Sequence, residues 1–251
     1  MKKITLLILS LLTSVALVYA TESQKMKEAN DLYTKENYVA ADSLYEDILK
    51  NEGESVALYY NLGNAKYKQG LIGPAILNYE KALLLEPNNE DVQFNLELAK
   101  THTKDKIDPI EKLLITQWNE TIQKWFSSNT WAVISIVMFI LFIALLGCFL
   151  FARFSWLKKT AFFSGIFVII ISFIAMNYAK KQKECVISHE YAIVYAATVT
   201  GKSSPDSGGT DLFILHEGTK VKVKNQLNDW TEIQLEDGHV GWIPTKAIEI
   251  I

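Results

Sequence analysis

The chain has 251 residues, 49 % of them hydrophobic, and a formal net charge of −3 from 25 Lys and Arg against 28 Asp and Glu. Residues 21–130 hold 12 basic against 18 acidic residues, and residues 184–251 hold 5 against 10. Neither polar part offers the basic field that nucleic-acid binding needs, so nucleic acid is not an expected partner.

In chain order, Lys2 and Lys3 precede an apolar run from Ile4 to Val18, and Val-Tyr-Ala follows at 18–20. A basic start, an apolar run of this length and small residues at the cleavage position predict a secretory signal peptide over residues 1–20. An uncleaved anchor helix is the alternative reading. No Cys follows the run, which argues against a lipid anchor.

Residues 22–102 read as helical repeats. VALYYNLGNAKYKQGLIGPAILNYEKALLLEPNN, residues 56–89, resembles the 34-residue tetratricopeptide (TPR) pattern. Tyr59 takes the usual Trp place, Leu62-Gly63 the Leu-Gly pair, Ala75 and Ala82 the small places, Tyr79 the aromatic one and Pro87 the terminator. Gly63 and Ala75 would let two helices approach, with Tyr59, Leu62, Ile76, Tyr79 and Leu83 filling the gap. Gly70 and Pro87 suit the two helix ends. A weaker copy covers 22–55, where Ala29, Ala41 and Tyr45 align with Gly63, Ala75 and Tyr79. Glu90 to His102 then supplies a closing helix. The resemblance implies a concave groove lined by the first helix of each pair. Met26, Asn30, Tyr33, Tyr60, Asn61, Asn64, Tyr67, Lys68, Phe94 and Asn95 are its candidates for binding an extended peptide. Asp91 falls where a clamp for a terminal carboxylate would want a cation. Asn30 and Asn64 have a plainer alternative role, which is to pack the helices.

In residues 109–126, Ile110, Leu113, Leu114, Trp118, Ile122 and Trp125 follow helical spacing, and Pro109 suits a helix start. This predicts an amphipathic helix, either at the membrane interface or packed on the last repeat. Residues 132–151 and 161–178 carry no charge, and each is long enough to cross about 30 Å of hydrocarbon. The link of residues 152–160 holds Arg153, Lys158 and Lys159. So short a link predicts a hairpin with both ends outside the cytoplasm and a basic turn inside. Lys180, Lys181 and Lys183 pull the other way, and the signal peptide outweighs them. Cys148 and Cys185 would lie at different membrane depths, so no disulfide between them is expected.

From residue 184 the period changes to two. YAIVYA (191–196), residues 211–225, 230–238 and 239–251 alternate apolar and polar, with turn signals between them. About five short strands predict a small barrel over 184–251. Leu215, Gly218, Val221, Val223, Trp230, Ile233, Leu235, Gly238, Gly241, Trp242 and Ile243 resemble the hallmarks of bacterial SH3-like domains. The resemblance implies a shallow groove for peptides or cell-wall fragments, with Tyr191, Tyr195, Trp230 and Pro244 as candidates. Trp230 and Trp242 have an alternative role as caps of the core. The stretch VTGKSSPDSGG reads as a long first loop.

His102, His189, His216 and His239 form no metal-ligand spacing, and no HExxH, GxSxG or P-loop occurs. No enzyme, cofactor or metal is expected. The order of signal peptide, TPR hairpins, two spans and terminal SH3-like domain resembles the BatE family of the Bat aerotolerance group. That resemblance implies a noncatalytic inner-membrane scaffold with both soluble parts in the periplasm and membrane-anchored Bat proteins as partners. A cell-wall sensor that binds peptidoglycan through the barrel is the alternative.

Overall fold

Residues 24–251 are described by the structure, a computed structural model; the expected signal peptide, residues 1–20, lies outside them. Five helices come first: α1 (Gln24–Thr34), α2 (Tyr38–Glu52), α3 (Val56–Lys68), α4 (Ile72–Leu85) and α5 (Glu90–Lys100). Side-chain oxygens start three of them. Asn37 accepts from Ala40 N, Ser55 from Leu58 N at 3.2 Å and Asn89 from Val92 N at 3.1 Å. Each bond satisfies an amide that the first helical turn leaves without a partner.

The helices stack as hairpins in a running series. Ala29, Ala41, Tyr45 and Ile48 pack with Leu58, Leu62 and Ala65. Tyr59, Ala75, Ile76, Tyr79 and Ala82 pack with Val92, Leu96 and Ala99. Gly63 marks the tightest approach, because a Cβ there would lie 2.6 Å from Tyr79 Cε1. Its missing side chain is what lets α4 lay an aromatic ring against α3.

The amphipathic helix is shorter than residues 109–126. Residues 104–113 are not helical, and α6 covers only Leu114–Gln123. Pro109 disfavours helix in the residue before it. The Ile110 amide, which a helix would use internally, donates instead to Glu236 O at 3.1 Å.

Among the described residues, two helices are long and apolar enough to cross a membrane: α7 (Ser128–Phe151) and α8 (Ser155–Ile187). Only residues 152–154 separate them, because Lys158 and Lys159, expected in the link, already belong to α8. The second helix also runs past residue 184, the expected start of the β region. Its face toward α7 carries Ala161, Gly165, Val168, Ser172, Ala175, Ala179 and Gln182, in alternating steps of four and three. Five of these seven residues are Ala, Gly or Ser, which lets the two apolar helices pack closely. Ser135 Oγ donates to Ser172 O and Ser172 Oγ donates to Ser135 O, each at 2.9 Å. Removing both hydroxyls (Ser135→Ala with Ser172→Ala) is expected to cost only about 1 kcal/mol in all, measured by unfolding titration in detergent.

The C-terminal part is a seven-stranded antiparallel sheet of β1 (Tyr191–Val194), β2 (Thr198–Lys202), β3 (Asp211–His216), β4 (Lys220–Leu227), β5 (Trp230–Gln234), β6 (Val240–Pro244) and β7 (Ile248–Ile250). Its spatial order is β3-β2-β6-β5-β4-β1-β7. Val199–Lys202, the start of the expected loop, pairs with β3 as part of β2, so the loop between the strands is residues 203–210. Residues 239–251 divide into β6 and β7, because Thr245–Ala247 turns as a 3-10 helix after Pro244. Val194, Val199, Leu215, Val221, Ile233, Ile243 and Ile248 come from all seven strands and meet in one core cluster, so the sheet coils on itself.

Candidate functional site

Six of the ten groove residues expected from the sequence come together. Tyr33, Tyr60, Asn64, Tyr67, Lys68 and Asn95 line a cavity of about 240 Å³, with Tyr79 and Leu98 completing it. The other four do not line it. Asn30 and Asn61 are bonded to each other, Met26 packs against the core of the first hairpin, and Phe94 is exposed.

A hydrogen-bonded triad, used twice, orders the cavity wall. Asn30 Oδ1 accepts from Tyr45 OH at 2.6 Å and from Asn61 Nδ2 at 3.0 Å. Asn64 Oδ1 accepts from Tyr79 OH at 2.7 Å and from Asn95 Nδ2 at 2.8 Å. Each residue of the second triad lies 34 positions after its counterpart, as 64 follows 30. The asparagines therefore do pack the helices, yet Asn64 still lines the cavity. Asn95 Nδ2 also donates to Tyr60 OH at 3.1 Å, which leaves the Tyr60 proton for a ligand. Tyr67 OH meets His102 Nε2 at 3.0 Å. Burial pushes the Tyr33 and Tyr79 hydroxyls above the ordinary tyrosine range, with nearby tyrosines adding to it. Both stay protonated at any physiological pH. The wall thus presents Tyr60 O–H, the Asn64 Nδ2 amide and the Lys68 ammonium, a set that suits acceptors such as peptide carbonyls.

The four sheet candidates do not gather into one site, although two of them are neighbours. Trp230 sits opposite Pro244 across β5 and β6. Tyr191 lies on β1, with Lys220 Nζ 4.9 Å and Lys222 Nζ 5.8 Å from its ring centroid. Tyr195 turns away to pack on the helical core. Trp242 alternates with the buried Gly241 and Ile243 and is itself half-buried, outside the core cluster.

Sequence reasoning missed the junction between the helices and the sheet. Ile193 and Ile251 pack with Tyr59, Ile76 and Leu77 in one cluster. Glu80, on α4, is buried and meets Lys220 Nζ at 2.6 Å and Lys100 Nζ at 3.7 Å. Gly73 N donates to Glu217 Oε1 at 3.1 Å. Asp105 accepts from His216 N and Thr219 Oγ1, each at 2.6 Å, and pairs with His216 Nδ1 at 2.7 Å. One signal was available: Ala192-Ile193-Val194 is apolar on both faces of its strand, which calls for a covering partner.

This junction responds to acid. Burial works to raise the Glu80 carboxyl, but the charges of Lys220 and Lys100 outweigh it and the net direction is down. For Asp105 burial also raises, and the hydrogen bonds from Thr219 and His216 prevail downward. A depressed carboxylate stabilises the folded state above its unfolded pKa, and that stability is lost as pH falls through the folded value. The junction should hold at neutral pH and loosen below about pH 4, read as a rise in protease cutting at residues 103–113.

No protein-family model matches the chain, and no curated protein matches it.

Proposed function

We propose that the chain is a noncatalytic, membrane-anchored interaction scaffold whose α1–α5 groove holds an extended peptide segment of a partner protein. The observation that carries this reading is the repeated Asn-Tyr-Asn triad, whose second copy sets Asn64, Tyr79 and Asn95 into the wall of the donor-rich cavity that six of the groove residues line. The same 34-residue step supports reading the helices as TPR repeats. Five or more strands coiled about one core, with a Gly-Trp-Ile segment on β6, support an SH3-like reading of the sheet. The proposed setting is the inner membrane, with both soluble parts in the periplasm. Ser128 Oγ donates to Ala179 O at 2.9 Å, so α7 begins where the apolar part of α8 ends and both soluble parts leave the hairpin at one end. The partners would be membrane-anchored proteins of the Bat type, in keeping with the BatE resemblance and its link to aerotolerance.

Lys68→Glu combined with Tyr60→Phe should abolish recovery of the partner from solubilised membranes while the helical content stays unchanged. Full recovery by that variant would remove the groove from the account. Tyr195 packs on the helical core, away from the neighbouring Trp230 and Pro244, which weighs against peptidoglycan binding by a groove of all four, and sedimentation of the chain with purified cell wall tests that alternative.

A further inference from the structure

We propose that α6 is a membrane-surface anchor: its apolar ridge of Leu114, Ile115 and Trp118 lies in the interfacial layer of the bilayer and sets the height of the soluble parts above it. This rests on the reading that α7 and α8 span the membrane.

The ridge is open. Leu114, Ile115 and Trp118 are 70, 81 and 71 % exposed. The side of α6 next to the ridge is tied down at a defined level of α8. Tyr178 OH donates to Asn119 Oδ1 at 2.7 Å, and Gln123 Nε2 donates to Gln182 Oε1 at 3.2 Å. Trp131 Nε1, on α7, donates to Gln123 O at 2.9 Å. The uncharged run of α8 ends at Ala179, and Lys180 follows. So α6 is held where hydrocarbon gives way to headgroups. Four residues after α6, helix α7 begins, with Val133, Ile136 and Val137 exposed, so the ridge continues the apolar surface of the spans. Lys112 and Glu120 pair at 2.7 Å and complete the polar part of the segment. An apolar ridge with a tryptophan, beside a polar face and at this level, fits the layer about 5–10 Å deep at the headgroup boundary.

The anchor has something to hold. Upstream, Ile107 packs against the core of the sheet, and Ile110 N donates to Glu236 O at 3.1 Å. Downstream, only residues 188–190 separate α8 from β1. The sheet is therefore fixed to the membrane-proximal layer from two directions, and the helical groove, docked on the sheet, takes its height from it.

The test uses the full chain with Cys148→Ser and Cys185→Ser, in phosphatidylcholine–phosphatidylglycerol vesicles. Single cysteines at Ile115→Cys, Leu141→Cys and Lys50→Cys carry an environment-sensitive fluorophore. Lipid bearing a shallow acyl-chain spin label is expected to quench the label at 115, and aqueous iodide is expected to leave it unchanged. The label at 141 should respond to a deep lipid quencher only, and the label at 50 to iodide only. Iodide quenching at 115 with lipid quenching at 141 overturns the anchor and leaves the spans standing. Protection of 115 from both quenchers means that protein covers the ridge, and it also overturns the proposal. Absence of lipid quenching at 141 defeats the spanning reading, and the anchor with it.

Discussion

Replacing Tyr79 with alanine is expected to destabilise the helical part by about 4 kcal/mol, enough to unfold it under mild denaturant. The ring is 1 % exposed and fills the space that Gly63 leaves open. Its hydroxyl donates to Asn64 Oδ1 at 2.7 Å, so the truncation creates a cavity and strips the groove asparagine of a partner. Tyr79→Phe keeps the packing and loses only the hydrogen bond, at a cost of about 1 kcal/mol. Helical circular dichroism of the two variants against denaturant separates these effects. Equal losses would mean that packing against Gly63 contributes little.

Lys220→Ala is the second large effect, at about 3 kcal/mol. It leaves the buried Glu80 carboxylate with Lys100 at 3.7 Å and the more weakly acting charge of Lys124. The change should free the sheet from the helices and expose residues 103–113 to protease, while each part keeps its own core. Pairing it with Glu80→Met removes the stranded charge and should restore docking, because an uncompensated charge, and not a missing attraction, causes most of the loss. A double variant as loose as the single one would contradict that cause. At a pH low enough to protonate Glu80, the single substitution should have little further effect.

Much of the helical part was legible because its rules are local. Gly63 against Tyr79 is a contact 16 positions apart, set by helix spacing and one missing side chain. The first-helix positions placed Tyr60, Asn64 and Tyr67 on one face for the same reason. Asn30 and Asn61 were equally legible as positions, but they bond each other, a choice that depends on the neighbouring helix. Ile110 and Leu113 fit a helical period by chance. Pro109 suits a helix start, yet it stands in a non-helical segment, and the partner of the Ile110 amide lies in a turn more than a hundred residues later. The surroundings of Tyr195 were hidden for a related reason. Alternation gives the two faces of a strand, but not which strands become neighbours, so Tyr195 could not be told from a groove residue. Glu80 and Lys220 each look like solvated charges until the fold brings them to 2.6 Å.

The central claim is that the helical groove and the sheet form one docked body in a single compartment outside the cytoplasm. The most direct measurement is disulfide formation between Gly73→Cys and Glu217→Cys in the full chain without its native thiols, read by gel shift from intact cells. A Cβ at 73 would lie 2.6 Å from Glu217 Cγ, within reach of a bridge whose Cβ atoms stand about 3.8 Å apart. The account predicts that the bridge forms spontaneously, as expected in an oxidising compartment. Two thiols that stay reduced in cells, and remain unlinked when oxidant is added to solubilised membranes, would contradict it.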